Sequence, residues 1–280
     1  MFSGQDLIKP YEVAFLKAML KRRLGIDLSG YKDQFIKRRV YARMLTCNMK
    51  SVSQYLRLLE RSVEERRSFL DALSINVSCF FRDSYVWGVV KEKVLRKAIE
   101  DKIWKRGRLQ IWSAGCSHGQ EPYTIAILIL ELAKELGALP PVTIYATDID
   151  EDALERAKIG VYPPMEVKNV PPQLLREYFL WINGKYKVRN EVKALVRFRR
   201  HDLINQPPLK FIHIIFYRNV QIYLSKECQI KVLRNFYTSL NPPGYLILGT
   251  SETIGEEAKD LFEPISTYAR IYKKKVKRLV

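Results

Sequence analysis

An apolar strand, a glycine-containing turn and a helix follow one another directly between residues 109 and 126. The strand ends in a run of small residues around Gly115, and a helical pattern of apolar positions begins at Gln120. Small residues let a ligand approach the backbone closely, and a strand that enters a helix through such a turn is typical of cofactor sites in α/β proteins. The segment therefore predicts a βαβ unit with a cofactor site at the end of its first strand.

A second strand, over residues 142–147, ends in Asp148, an acid placed to accept hydrogen bonds from ribose hydroxyls. The spacing argues against a dinucleotide. Gly115 and Gly119 do not complete a G-x-G-x-x-G motif, and Glu121 enters the first helical turn, where a pyrophosphate needs bare N–H donors. A carboxylate there suits a cationic amino group, such as that of S-adenosylmethionine. The alternative is a structural turn whose glutamate only favours the helix N-terminus.

Strands and helices alternate after residue 105, which predicts an α/β, Rossmann-like fold with a doubly wound, mostly parallel sheet. Further strands are predicted at residues 195–198, 211–217, 245–248 and 268–272, with helices at 151–158 and 226–240. Asn183 and Gly184 give a two-residue hairpin signal between strands at 178–182 and 186–189. This signal predicts a small β insertion at about residues 177–193.

Apolar residues at helical spacing predict an all-α amino-terminal domain over residues 1–76. A long helix from Asp83 to about Trp104 is predicted to link this domain, across residues 77–104, to a cofactor-binding domain over residues 105–280. A chain of 280 residues is long enough for both domains, at about 100–200 residues per domain.

The formal net charge of +18 predicts an acidic partner, and ten basic residues against two acidic ones lie between residues 17 and 50. A solvated helix face explains such a run equally well, but like charges at three- and four-residue spacing repel and need a compensating use. Arg38, Arg39 and Arg43 share one side of a helix if residues 32–45 are helical. We therefore expect these arginines to dock an acidic macromolecule.

The four cysteines show no C-x-x-C spacing and no histidine partner at metal-ligand spacing, so neither a disulfide framework nor a metal site is expected. The sequence has no apolar run near the ~20 residues of a membrane span, and its start lacks the apolar core of a signal peptide. We expect a cytoplasmic protein without membrane insertion.

Five blocks in sequence order resemble motifs of the chemotaxis receptor glutamate O-methyltransferase family, and the resemblance covers nearly the whole chain. The blocks lie at residues 76–83, 115–123, 146–150, 216–223 and 249–252. They resemble, in that order, N-x-[S/T]-x-F-F-R, G-C-S-x-G-E-E-P-Y, A-T-D-I-D, F-C-R-N-V-x-I-Y and G-x-S-E. Each block alone is moderately specific, and five in order make the resemblance strong.

The resemblance implies S-adenosylmethionine as cofactor, S-adenosylhomocysteine as product and receptor glutamates as substrate. It places ten residues at the cofactor: Asn76, Ser78, Arg82, Gly115, Glu121, Asp148, Asp202, Leu203, Arg218 and Asn219. Two residues are the predicted catalytic ones, because Arg82 would orient the substrate carboxylate and Tyr223 would stand beside the methyl group. For Arg82 the alternative is a surface salt bridge.

Some positions depart from the family pattern. Gln120 replaces an acid, His118 stands where threonine or alanine is commoner, and Asp202 lies where the family often has asparagine. Tyr217 occupies the cysteine position of the fourth block. We expect Gln120 to point away from the ligand and His118 to be structural.

A glutamate carboxylate is ionised near neutral pH, with a reference pKa of ~4.3, so methyl transfer to it requires alignment but no general base. The resemblance implies a monomer that docks on the helical bundle of methyl-accepting chemotaxis receptors, is recruited to membrane receptor arrays and has no nucleic-acid partner. The short β insertion favours recognition that does not depend on a receptor's carboxyl-terminal peptide.

Two alternatives stay open. The basic charge and the N-P-P-G run at residues 241–244 point to a nucleic-acid methyltransferase, although that run sits in a predicted helix-to-strand turn and not after the central strand. The second alternative is a noncatalytic receptor-binding homologue with an inactive cofactor pocket.

Overall fold

A computed structural model describes residues 8–73 and 78–276. The chain forms two compact units, one of residues Met1–Ile75 with Tyr223–Gln229 and one of residues Asn76–Ile222 with Ile230–Val280. No helix within the described residues is long and apolar enough to cross a bilayer.

Four helices build the first unit within residues 8–73. They are α1 (Pro10–Leu24), α2 (Asp33–Thr46), α3 (Val52–Arg61) and α4 (Val63–Leu73). Their apolar positions meet in one buried core that includes Leu16, Leu20, Ile36, Tyr55, Leu59 and Phe69. Residues three and four apart lie on one helix face, so the apolar spacing of the sequence becomes this core. The predicted all-α domain is confirmed.

The segment Tyr223–Gln229, distant in sequence, also belongs to this first unit. Tyr31 and Leu224 form an antiparallel bridge, the Lys32 amide donates to the Tyr223 carbonyl at 3.0 Å, and the Ser225 amide donates to the Gly30 carbonyl at 2.8 Å. Backbone pairing therefore joins the chain after residue 222 to the loop between α1 and α2.

The second unit begins with a helix over residues 84–104. Its parts are α5 (Ser84–Val90), a π-helical turn (Lys91–Leu95) and α6 (Arg96–Trp104). Six of its side chains are buried in the core of the second unit: Val86, Trp87, Val90, Val94, Leu95 and Ile99. The segment described above as a linker helix is therefore packed into the α/β unit, because its apolar face covers the sheet.

The strands in chain order are β1 (Leu109–Ala114), β2 (Val142–Asp148), β3 (Val161–Tyr162), β4 (Phe179–Ile182), β5 (Lys185–Val188), β6 (Val196–Arg200), β7 (Ile212–Tyr217), β8 (Leu240–Leu248), β9 (Phe262–Ser266) and β10 (Ile271–Lys274). The remaining α-helices are α7 (Gln120–Leu136), α8 (Glu151–Ile159), α9 (Pro164–Val167), α10 (Pro172–Tyr178), α11 (Asn190–Ala194) and α12 (Lys226–Ser239). Short 3-10 turns lie at Gln221–Tyr223 and Glu256–Ala258.

Seven strands form one sheet in the order β6-β2-β1-β7-β8-β10-β9. Neighbours from β6 to β8 pair in parallel, whereas β10 runs antiparallel to both of its neighbours. The strand order reverses between β1 and β7, and in doubly wound sheets the ligand crevice lies outside the carboxyl ends of the strands at such a point. The predicted fold class is confirmed, and its topology puts the Gly115 turn beside the loop after β7.

The β insertion is a three-stranded sheet in the order β3-β5-β4. The predicted hairpin is present: β4 and β5 pair antiparallel across Asn183 and Gly184, which both have positive φ angles. The third strand, β3, was not predicted, because a strand of two residues is too short to show the alternation of apolar and polar side chains.

Other differences concern strand ends. β8 begins at Leu240 and not at Tyr245, and the predicted strand at residues 268–272 is displaced, since β10 begins at Ile271. The sequence pattern predicts no strand at β9. Its Pro264 and alternating polar residues mask the strand pattern of this segment, which pairs only with β10.

Candidate cofactor site

The turn after β1 is held by the end of β2. The amides of Gly115 and Cys116 both donate to the Thr147 carbonyl, at 2.8 and 2.9 Å. Gly115 has a φ of 81°, and a Cβ at this position would overlap the Cγ2 methyl of Val220 in the loop after β7. Glycine is therefore required here by the close approach of two loops of the protein itself.

Asp148 ends β2 and lies beside this turn. Its Oδ2 accepts a hydrogen bond from the Ser117 amide at 2.8 Å, and its Oδ1 accepts one from the Asp150 amide at 3.1 Å. Burial raises the pKa of Asp148, while the amide donors act in the opposite direction. The Ile149 amide also favours the charged form of Asp148. A carboxylate has about four lone-pair positions, so Asp148 keeps room to accept a hydrogen bond from a ribose hydroxyl.

Glu121 stands in the first turn of α7. Its Oε1 accepts a hydrogen bond from the Ser113 hydroxyl at 2.8 Å, and its Oε2 lies 3.8 Å from Nη1 of Arg218. Burial raises the pKa of Glu121, and the Arg218 guanidinium opposes this shift. Burial still dominates over the charges of Arg218 and Arg82, and a buried carboxylate of this kind fits the ammonium group of an amino-acid moiety.

Arg218, directly after β7, is almost completely enclosed, with 2% of its side chain exposed. Its Nη2 donates to Oδ2 of Asp83 at 2.7 Å and to the Arg82 carbonyl at 3.2 Å. The guanidinium carbon also lies 5.1 Å from the ring centre of Trp87. Sequence reasoning missed Asp83 and Trp87, although both lie close to Arg82 in the chain.

A buried carboxylate joins the loops after β7 and β8. Oε2 of Glu252, whose residue is 2% exposed, accepts hydrogen bonds from the amides of Asn219 at 2.8 Å and Gly249 at 2.7 Å. Asn219 has a φ of 63°. Glu252 therefore fixes the main chain at Asn219, and the G-x-S-E block was its only signal in the sequence.

Asp202 and Leu203 follow β6. Oδ1 of Asp202 accepts hydrogen bonds from the amides of Ile204 at 2.8 Å and Asn205 at 3.1 Å, and its Oδ2 accepts one from the Asn205 side chain at 2.8 Å. The His201 amide donates to the Asp148 carbonyl at 2.9 Å, which ties this segment to the end of β2. The Asp202 carboxylate therefore stabilises the turn at residues 202–205 through hydrogen bonds to that turn.

Gln120 and His118, which depart from the family pattern in this turn, belong to a series of hydrogen-bonded polar side chains that leads away from Glu121. Gln120 is fully buried, and its Nε2 donates to Oε2 of Glu166 at 2.8 Å. Glu166 pairs with Arg156, whose Nη1 lies 3.2 Å from Nδ1 of His118. Burial and, second, the Arg156 charge lower the pKa of His118. Both side chains therefore have structural partners in α8 and α9.

Three other residues were predicted at the site: Asn76, Ser78 and Tyr223. Asn76 lies outside the described residues, and Ser78 is half-buried. Tyr223 is part of the first unit, where its ring centre lies 5.0 Å from that of Phe35. Its place beside the methyl group stays a prediction. Phe80 and Phe81 are buried side chains of the second unit's core.

The basic residues of α2 do not form one exposed face. Arg38 is exposed, but Arg43 donates from Nε to Oε1 of Glu65 at 2.9 Å, and only 20% of its side chain is exposed. Tyr55 donates to the same carboxylate at 2.7 Å. At 3.6 residues per turn, positions 38 and 43 lie roughly 140° apart. The predicted docking set is therefore corrected: Arg43 is an internal ion-pair partner in this unit.

Comparison with known proteins agrees with this geometry. The family model "CheR methyltransferase, SAM binding domain" matches residues 76–271, and "CheR methyltransferase, all-alpha domain" matches residues 12–74. A chemotaxis protein methyltransferase of Vibrio parahaemolyticus is 37% identical over 88% of this chain and 90% of its own length. Proteins of the same name from Listeria innocua and Salmonella typhimurium are 33% and 32% identical, over 89% and 86% of this chain and 92% and 83% of their own lengths.

The fold and the match to the family's SAM-binding domain define an S-adenosylmethionine-dependent methyltransferase. The chain belongs to the CheR methyltransferase family, and it carries both of the family's domains in order.

Proposed function

We propose that this protein methylates glutamate side chains of chemotaxis receptors in the cytoplasm, forming methyl esters that serve sensory adaptation. The observation that carries the proposal is the match of both family domains, joined to full-length relatives named chemotaxis protein methyltransferase. The basic first unit supports an acidic protein substrate.

The residues at the carboxyl ends of β1 and β2 fit S-adenosylmethionine. Glu121 offers a buried carboxylate to the α-ammonium group, and Asp148 offers its remaining acceptor capacity to the ribose. Bound S-adenosylmethionine supplies a methyl group on a sulfonium, which an oxygen nucleophile can attack in line. The glutamate carboxylate is that nucleophile, and it is already ionised near pH 7.

The protein's part in this reaction is alignment. Arg82 holds the substrate carboxylate through its planar guanidinium, and Tyr223 shapes the channel through which the methyl group passes. Transfer of the methyl group from the sulfonium to the carboxylate oxygen would neutralise both charges. Fixing both partners in one geometry can lower the barrier by up to ~7–11 kcal/mol.

Receptor docking in this proposal uses the exposed Arg38 and its neighbour Arg39 on α2. A nucleic-acid substrate is disfavoured by the position of the N-P-P-G run, residues 241–244. This run belongs to the amino-terminal part of β8, whereas ligands of doubly wound sheets bind at the carboxyl ends of the strands.

The test uses S-adenosylmethionine with a labelled methyl group, receptor cytoplasmic fragments and tRNA. We expect label in the receptor fragment that mild alkali releases as methanol, because carboxyl methyl esters hydrolyse readily. Fragments whose candidate glutamates are replaced by alanine are the control and should stay unlabelled. Alkali-stable label in tRNA, or cofactor binding without transfer to any fragment, contradicts the proposal.

A further inference from the structure

We propose that Asp83 is a positioning residue for methyl transfer, which holds Arg218 against the Arg82 carbonyl and so fixes the main chain from which the Arg82 side chain extends. The inference rests on the proposed function, in which Arg82 orients the substrate carboxylate. Asp83, Trp87 and Arg218 are called the Arg82 clamp below.

Arg82 lies between two residues in an unfavourable backbone conformation. Phe81 has a φ of 50° and Asp83 a φ of 56°. Left-handed angles are uncommon for residues other than glycine, and they persist only where surrounding contacts hold them. On the amino-terminal side, the Phe81 amide donates to the Thr124 hydroxyl of α7 at 3.2 Å. The carboxyl-terminal side needs an anchor of its own.

That anchor is the Arg82 carbonyl oxygen, which accepts two hydrogen bonds. Nε1 of Trp87 donates to it at 2.8 Å, and Nη2 of Arg218 donates to it at 3.2 Å. Both donors belong to buried residues. Two convergent donors restrict the peptide plane after Arg82, and this plane sets where its side chain begins.

Asp83 determines where the Arg218 guanidinium lies. Its Oδ2 accepts from the same Nη2 at 2.7 Å, the shorter of the two bonds made by that nitrogen. The other side of Arg218 faces Glu121, with Nη1 3.8 Å from Oε2. Without the Asp83 carboxylate, Glu121 is the strongest remaining attraction for the guanidinium. Arg218 would then move toward Glu121, leaving the Arg82 carbonyl with Trp87 as its remaining donor.

The variant Asp83→Gly tests this clamp without adding strain, because glycine adopts left-handed angles freely. We expect kcat to fall about 10- to 100-fold, the size of effect caused by misplacing a reacting group by about 1 Å. The Kd of S-adenosylmethionine, measured by calorimetry, should change less than kcat. Asp83→Asn keeps an acceptor oxygen and should recover most of the lost kcat.

Arg106→Gly is the matched control, since Arg106 is an exposed residue with a φ of 49° in the turn after α6. It should keep the kcat of the unsubstituted protein. Trp87→Phe is the second variant: it removes the indole donor but keeps an aromatic ring, and its kcat should also fall. Thermal unfolding of each variant checks that it is folded.

The decisive comparison is made in the Arg82→Ala background by single-turnover measurement. Residues that act through Arg82 lose their effect once its side chain is gone, so Asp83→Gly and Trp87→Phe should cause no further loss there. If Asp83→Gly or Trp87→Phe lowers the rate of the Arg82→Ala enzyme by the same factor as in the natural protein, the clamp is overturned. A normal kcat for Asp83→Gly also overturns the clamp, and neither result affects the proposed function. A fully active Arg82→Ala enzyme instead overturns the proposed function of Arg82, and the clamp with it.

Discussion

Replacing Glu252 by alanine is expected to destabilise the second unit strongly. The change removes the acceptor of two backbone N–H groups, that of Gly249, which is buried, and that of Asn219, which is partly buried. A buried donor left unsatisfied costs about 1–3 kcal/mol, and loss of a partly exposed hydrogen bond costs about 0.5–1.5 kcal/mol. The free energy of unfolding should therefore fall by about 1.5–4.5 kcal/mol.

Urea unfolding followed by circular dichroism measures this loss, and Glu252→Gln is its matched control. The amide oxygen of glutamine can accept both N–H bonds, so the Gln variant should lose less than half as much stability as the Ala variant. A loss below about 1 kcal/mol for Glu252→Ala, or equal losses for both variants, would refute the assignment of Glu252 as the link between the two loops.

The difference in stability between the natural protein and Glu252→Gln should also depend on pH. Burial raises the pKa of Glu252 despite its amide donors, so folding favours its protonated form. The stabilisation from this shift is complete below the unfolded-state pKa of about 4.3 and is lost as pH rises through the folded-state pKa. The stability advantage of the natural protein over Glu252→Gln should therefore shrink as pH rises above about 4.3.

Three further outcomes are expected. Asp148→Ala should weaken S-adenosylmethionine binding by about 1.5–3 kcal/mol in calorimetry, since the ribose loses a charged acceptor; unchanged affinity removes Asp148 from the site. Arg38→Glu combined with Arg39→Glu should raise the KM for receptor and flatten its salt dependence without changing cofactor affinity; an unchanged KM places docking elsewhere. Arg43→Ala should lower the free energy of unfolding by about 1.5–3 kcal/mol, because the buried Glu65 carboxylate loses its cation and keeps Tyr55 as a donor; a loss below about 0.5 kcal/mol contradicts this.

The places of two candidate cofactor residues in the fold could be predicted from sequence motifs. Glu121 and Asp148 sit at the ends of a strand-turn-helix pattern and of a second strand, and parallel strands bring their carboxyl ends to one edge of the sheet. Local pattern and topology therefore sufficed for both positions. The seven-stranded sheet followed from the same alternation, apart from the weakly patterned β9, and the β insertion followed from its hairpin signal, apart from the two-residue β3.

The partners of these residues could not be predicted, because they come from distant parts of the chain. Arg218 meets Asp83 across 135 residues, and Arg43 meets Glu65 across 22. Charge counting treats each arginine as a free surface cation, and only three-dimensional packing decides which of them an internal carboxylate neutralises. The place of Tyr223 could not be predicted for the same reason, since its segment belongs to the helical unit through backbone pairing with residues far away in sequence.

The contact between Gln120 and Glu166 has a consequence for sequence variation in the family. The motif that this turn resembles has an acid at position 120. In this protein the Gln120 amide donates to the Glu166 carboxylate at 2.8 Å, so a glutamate at position 120 would place a second carboxylate at the same short distance from Glu166. Two like charges at that separation repel, and the position of Gln120 is fully buried, which adds the cost of removing a charge from water. Relatives with glutamate at position 120 should therefore carry a neutral or basic residue at position 166, so that the two positions covary although 46 residues separate them.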